Sequence, residues 1–316
     1  MADGTLSIDV YDGSDHRAFD RGSQLERWLQ KDLDLQNIFI PWDDGRYEID
    51  ELFTQIVPRF WEAGRIPMLT WELFLSSGPT PGDILSRIVD GQYDAYLEEW
   101  AHNLDAAVAR TSVSSPPIYI RLGHEMNGDW YPWAPAGGRG TPEQYIQMWK
   151  HVWKKVETRL EENVQLEWVW AANSADIGAY EMEDLYPGDK YVDWLAIDAY
   201  NWGDTRSWSK WRSPTEVFQQ PIRRLRELGT TPVAVTEFGS SSETSAGPDV
   251  EKKSEWITDA FTTFNDLDVE LCIWFNEHKE TDWAVFGGQR GDARTVIDES
   301  EYKTYSAFKY AVAEYG

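Results

Sequence analysis

IYIRLGHEMNGDWYPWAP, residues 118–135, changes character half-way along. Its first part is a strand, with Ile118, Tyr119, Ile120 and Leu122 forming an apolar, β-branched run entered through Pro116-Pro117. It then breaks into Gly123-His124-Glu125-Met126-Asn127-Gly128, which no strand or helix selects for its own stability. Glu125 therefore brings an ionisable group to the end of an apolar strand, and Trp130, Tyr131 and Trp133 follow at once. A buried ion-pair partner at a polar corner is the plain alternative, since structural networks also perturb carboxyl groups.

The same strand-then-helix pattern recurs on either side of this stretch. On the N-terminal side lie strand-like runs at Leu6–Tyr11, Asn37–Trp42 and Ile66–Trp71. On the C-terminal side are Val164–Trp170, Trp194–Tyr200, Pro232–Thr236 and Leu271–Asn276. Helices are expected between them at Ser23–Lys31, Tyr47–Ala63 with a kink at Pro58, and Gln92–Arg110. Further helices are expected from Thr141, an N-cap with Pro142 and Gln144 behind it, to Leu160, and from Ser213 to Gly229. The last two are expected at Val250–Phe264 and Tyr302–Glu314. Eight apolar strands alternating with helices predict an α/β fold, a single (β/α)8 TIM barrel over residues 1–316. The runs are continuously apolar, as strands covered on both faces should be. A doubly wound open sheet would also alternate, but no GxGxxG follows the first strand.

Composition narrows the function. The net charge is −26, with 55 acidic against 29 basic residues, so nucleic acid is a poor partner. No apolar run approaches the roughly 20 residues of a membrane span, so no membrane partner is expected. Cys272 is the only cysteine, which excludes an intrachain disulfide framework. The five histidines show no HExxH-type spacing, and His278 beside Glu277 is not enough, so neither a metal nor a cofactor is expected. The start, MADGTLSIDVYDG, has no basic n-region and no apolar h-region. A secreted or extracellular monomer is the expectation, its signal having been trimmed.

Arg outnumbers Lys 18 to 11 on this acidic chain. At 0.01 M salt the Debye length is about 30 Å and acidic charges repel over much of the surface; at 1 M it is about 3 Å. Melting temperature is therefore expected to rise from low to molar NaCl, with activity on a neutral polymer retained there. Sucrose, which is excluded from the surface without screening charge, is the control. A flat or falling melting temperature in NaCl would mean that the acidic surface is not a salt adaptation.

Polar and aromatic residues crowd the C-terminal strand ends: His124, Glu125 and Asn127, then Asn173, then Asp198, Tyr200 and Asn201, then Glu237, then Asn276. In a barrel these ends share one side, where active sites form. Strands four and seven lie across the ring, so Glu125 and Glu237 are placed to flank a bound chain. One carboxyl then serves as acid and the other as nucleophile, roughly 5–5.5 Å apart for retention of configuration. The 18 tryptophans are several times an average share, so some are expected to stack on sugar rings and others to fill the core. Trp42, Trp71 and Trp170, at strand ends, read equally as sugar contacts or barrel filling, while Asp193 and Asp198 read as structural.

RLGHEMNGDWYPW at 121–133 resembles the acid/base motif of glycoside hydrolase family 26, and TEFGS at 236–240 its nucleophile strand. IDAYNWG at 197–203 is similar to its sixth-strand motif, and WFN at 274–276 with DWAV at 282–285 to the segment after its eighth strand. Arg121-Leu122-Gly123 departs from mannanases, which often carry a proline and a bulkier residue there. The resemblance implies a retaining endo-β-glycosidase with Glu125 as acid/base and Glu237 as nucleophile. His124, Tyr200 and Asn127 would support catalysis, with Tyr200 orienting the nucleophile. Trp71, Trp130, Trp133, Asn173, Trp202, Trp274 and Asn276 would bind a β-linked polysaccharide or oligosaccharide. β-1,4-Mannan is expected first, mixed-linkage β-1,3-1,4-glucan next and β-1,3-xylan behind. A non-catalytic carbohydrate-binding barrel is the alternative of another class, and an acyl hydrolase lacks its GxSxG elbow.

Overall fold

The computed structural model describes residues 6–13, 20–42, 49–160 and 164–316. Eight strands form one sheet: β1 (Ser7–Tyr11), β2 (Leu35–Pro41), β3 (Ile66–Glu72), β4 (Pro117–Leu122), β5 (Gln165–Asn173), β6 (Trp194–Asn201), β7 (Val233–Ser240) and β8 (Leu271–Phe275). Their order is β1-β8-β7-β6-β5-β4-β3-β2. β1 pairs with β8, β8 with β7, and β2 to β5 in succession, all parallel. Sequential neighbours with the last strand beside the first are the order of the (β/α)8 fold, as the alternation predicts. The chain divides into two compact units, Leu35–Ala196 with Leu228–Thr231, and Met1–Asp34 with Ile197–Glu227 and Pro232–Gly316.

In the first of these, β3 delivers Trp71 to a wholly buried aromatic stack. Its ring lies 4.6 Å from Trp100 at 17° and 5.0 Å from Trp42, and its indole N–H donates to the Tyr96 hydroxyl at 3.2 Å. Trp100 comes from the helix Asp94–Arg110, which buries Leu97, Ala101, Leu104 and Val108 on the same stripe. The helix Pro142–Glu157 starts with the capping box its sequence announces. The Gln144 amide N–H donates to Thr141 Oγ1 at 3.3 Å, and Thr141 N–H donates to Gln144 Oε1 at 2.9 Å.

Two helix expectations need correction. The expected second helix is α-helical only at Ile49–Glu51 and Val57–Glu62, with a π-helical segment, Leu52–Ile56, between; its expected start at Tyr47 lies outside the described residues. Pro58 has no N–H and its ring crowds the carbonyl four residues back, so the turn before it widens. Val57 N–H accordingly reaches back five residues, to Leu52 O. A short helix at Ile84–Val89 precedes Asp94–Arg110 and was not anticipated.

In the second unit, the helices Pro214–Leu228, Val250–Asp266 and Ser306–Tyr315 cover β7 and β8. Phe218, Phe238, Phe261, Phe264, Trp274 and Phe308 pack edge to face between them. The last helix starts at Ser306, not at Tyr302. Residues 300–304 instead pair antiparallel with 293–297, Tyr302 opposite Thr295. Along Glu301-Tyr302-Lys303-Thr304 exposed positions alternate with covered ones, as in a strand with one face covered.

Candidate active site

β4 ends at Leu122, and the next residues leave the strand through left-handed backbone: φ is +49° at Gly123 and +51° at Glu125. Glycine adopts this region freely, but glutamate does so at a cost of about 1–3 kcal/mol. Four backbone hydrogen bonds hold the turn. Gly123 N–H donates to Trp71 O at 2.9 Å, Glu125 N–H to Ala171 O at 2.8 Å, and Gly128 N–H to Glu125 O at 3.0 Å. Ile177 N–H donates to Asn127 O at 2.9 Å.

Both carboxyl oxygens of Glu125 are gripped. Trp130 Nε1–H donates to Oε2 at 2.7 Å, and Asn173 Nδ2–H donates to Oε1 at 2.9 Å. The Trp130 indole keeps 43% of its surface exposed, so one ring both orients the carboxyl and offers a face. Asn173, expected on the sugar, donates its amide nitrogen to Glu125 and accepts on its oxygen from Ala175 N–H, so it also supports the carboxyl. Asn127 acts one step back. Its amide donates to Asn173 O and Asp176 Oδ1, both at 2.8 Å, and its oxygen accepts from Asn173 N–H.

His124 is buried, its ring among Phe39, Tyr131 and Trp133. Burial, and then the nearby Arg121 guanidinium, hold its pKa well below the ordinary imidazole value, and its Nε2 lies 3.1 Å from the Tyr131 hydroxyl. Trp133 is also wholly buried, stacked on Tyr131 at 4.4 Å and donating to His124 O at 2.7 Å. It locks the loop and presents no face, and the buried Trp71 likewise cannot stack on a sugar.

Gly128 leaves room for this arrangement, because a Cβ there would lie 2.5 Å from the Trp130 ring. Gly128→Ala is therefore expected to push the indole off Glu125. Losing one hydrogen bond to a carboxylate should lower kcat/KM by about 10–100-fold. Kinetics beside a melting curve test this, and an unchanged kcat/KM in a folded variant makes the Trp130 contact dispensable.

The second carboxylate belongs to the other unit. β7 is buried along its whole length and carries Glu237 within the strand, not after it. Tyr200, from the end of β6, donates its hydroxyl to Glu237 Oε2 at 2.7 Å. The Tyr200 ring is held 4.9 Å from Trp283, and Trp202 stands edge-on to Trp283 at 5.0 Å. Trp202 stays partly exposed, with Trp208, 69% exposed, beyond it at 5.4 Å.

Trp274 and Asn276 do not join this surface. Trp274 is the register partner of Phe238, and Phe238 points to the opposite face from its neighbour Glu237. Trp274 accordingly packs on Trp256 and Phe308 from the helices. The Asn276 side chain is consumed by backbone: its oxygen accepts from Val285 and Phe286 N–H, and its amide donates to Phe286 O. Sequence reading missed Trp283 and Trp208. Trp283 had a signal in DWAV; Trp208 sits in a polar loop and had none.

A model of glycosyl hydrolase family 26 matches residues 83–237, a span that contains the Glu125 loop and ends on Glu237. This chain belongs to that family. Endoglucanase H of Acetivibrio thermocellus is 33% identical to it over 264 residues, 80% of this chain and 26% of that protein. A mannan endo-1,4-beta-mannosidase of Bacillus subtilis is 26% identical over 151 residues, 45% of this chain and 42% of that one. The family 26 chain thus spans less than half the length of either relative. Among solved structures, the catalytic domain of the family 26 endo-beta-1,4-mannanase of Bacillus sp. JAMB-750 has the same fold. Its TM-score is 0.65 at 17% identity, covering 98% of this chain and 85% of that one. Among the described residues of this family 26 chain, no helix is long and apolar enough to cross a membrane.

Proposed function

We propose that this chain is a retaining endo-β-glycosidase that cleaves a β-linked polysaccharide by double displacement. The observation that carries it is the pair of preorganised carboxyls. The Glu125 carboxyl, carried on left-handed backbone, is held by two side-chain donors, one of them a half-exposed tryptophan, and Glu237 is held by a tyrosine hydroxyl. Fixing both carboxyls before substrate arrives lowers the reorganisation needed in the transition state. Glu237 attacks the anomeric carbon while Glu125 gives its proton to the departing glycosidic oxygen. Glu125 then takes a proton from water, which displaces Glu237 and restores the β configuration. Retention requires the carboxyls roughly 5–5.5 Å apart; a separation near 9 Å would mean inversion.

For the substrate, the motif resemblance favours β-1,4-mannan. The endoglucanase, however, is similar over 80% of this chain and the mannosidase over 45%. On that ground we rank a β-glucan first and mannan second as the substrates to test. Such polymers are too large to cross a membrane, which places the action outside the cell. The test is reducing-sugar release on mannan, lichenan, barley glucan, cellulose and xylan, with the product anomer read by NMR before mutarotation. A β anomer from one of these supports the proposal and an α anomer overturns the retaining mechanism. Binding without release would make the chain a carbohydrate-binding barrel.

A further inference from the structure

On the helix Val250–Asp266 the buried stripe runs Trp256, Ile257, Ala260, Phe261 and Phe264. Lys253 occupies the next place on that stripe, where an apolar residue would be expected, and is completely buried. Its ammonium donates to three successive carbonyls: Asp282 O, Trp283 O at 3.0 Å and Ala284 O at 3.2 Å. The rings of Tyr305, at 4.5 Å, and Trp274, at 5.9 Å, face the same nitrogen. The charged groups around it are Asp282 and Arg290, and Arg290 pairs with Glu243 at 2.7 Å.

The turn that Lys253 holds is the one that carries Trp283. Trp283 lies 4.9 Å from Tyr200, and Tyr200 donates to Glu237. The Asp282 side chain fixes the turn from the other end, accepting from Ser242 N–H at 3.0 Å and Ser241 Oγ at 3.2 Å. Ser241 and Ser242 follow directly on β7, the strand of Glu237.

We propose that Lys253 is a positioning residue whose buried ammonium clamps the Asp282–Ala284 turn, fixing Trp283 against Tyr200 and so the Glu237 carboxyl. The inference rests on the reading of Glu237 as nucleophile. Three adjacent carbonyls converging on one point need a donor of three hydrogens, and an ammonium alone among side chains supplies that from a single atom. The site is costly for a charge: burial pulls the Lys253 pKa down to about 7, with Asp282 opposing and Arg290 adding to the shift. A methionine would fill the space without that cost.

The test compares Lys253→Met, Lys253→Gln and Trp283→Phe with the parent chain, in kcat, KM and amide hydrogen exchange of residues 281–285. Lys253→Met is expected to lower kcat about tenfold with KM within about twofold, and to speed exchange in that segment about tenfold. Lys253→Gln, which keeps two donors, should fall between it and the parent. If Lys253 acts through Trp283, the double variant Lys253→Met/Trp283→Phe should be no slower than the worse single. Multiplying losses, or a Lys253→Met enzyme with parental kcat, overturns the proposal. Should Lys253→Met fail to fold, Lys253→Gln carries the same comparison, and parental kcat and exchange there also overturn it. If the parent hydrolyses nothing in the polysaccharide panel, the nucleophile reading fails, while exchange of residues 281–285 separately decides whether Lys253 clamps the turn.

Discussion

Glu237→Ala is expected to lose turnover by roughly 10⁴-fold or more and to regain part of it with azide, releasing an α-glycosyl azide. Alanine removes the nucleophile and leaves a space on the α face of the sugar, next to the Tyr200 hydroxyl that Glu237 formerly engaged. Azide enters that space while Glu125 still protonates the leaving oxygen. The product keeps the configuration of a single displacement, and its anomer is read by NMR. The fold should survive, because β7 is stitched by its backbone and by the Thr236 hydroxyl donating to Asp198 at 2.7 Å. A β-azide from this variant would mean that the two glutamates have exchanged roles.

Glu125→Ala is expected to lose about 10²–10⁴-fold on polysaccharide, the usual contribution of a positioned proton donor. On aryl glycosides with good leaving groups the loss should shrink, since departure no longer needs a proton. Glycosyl-enzyme should then accumulate, and azide should release the β-glycosyl azide from the face that Glu125 attends. The variant also leaves Trp130 Nε1–H and Asn173 Nδ2–H without the carboxyl that accepts them. A loss independent of leaving group would show that Glu125 does not act as the acid.

The family resemblance implied roles for Glu125, Glu237 and Tyr200 from motifs alone, and the Tyr200 hydroxyl does donate to Glu237. The roles of the surrounding residues were less legible. Asn173 and Trp130 were both expected on the sugar, and that both also donate to Glu125 was not foreseen. A local motif names the residue types near a carboxyl, but not which amide turns toward it, because that depends on β4 and β5 lying side by side. Asn127 is the same case, tying the two loops together across 46 residues of sequence.

What the sequence determined by itself is the alternation of apolar strands with amphipathic helices, and with it the (β/α)8 order, since burial on both faces leaves its mark on every strand. The same pattern places Glu125 just past the end of its strand, whereas Glu237, expected at a strand end, lies inside β7 because that strand runs on to Ser240. Which tryptophans are free was settled only by the tertiary structure. Trp71, Trp133 and Trp274 are wholly buried while Trp130 and Trp208 are open, though the residue type is the same. An indole is apolar enough for the core and amphipathic enough for a cleft, so composition cannot sort them. Register and packing do: Trp274 opposite Phe238 faces the helices, and Trp71 stacks on Trp100. Lys253 is the converse, a charged residue on an apolar stripe, whose place becomes intelligible only when three carbonyls from a turn some 30 residues away converge on its ammonium.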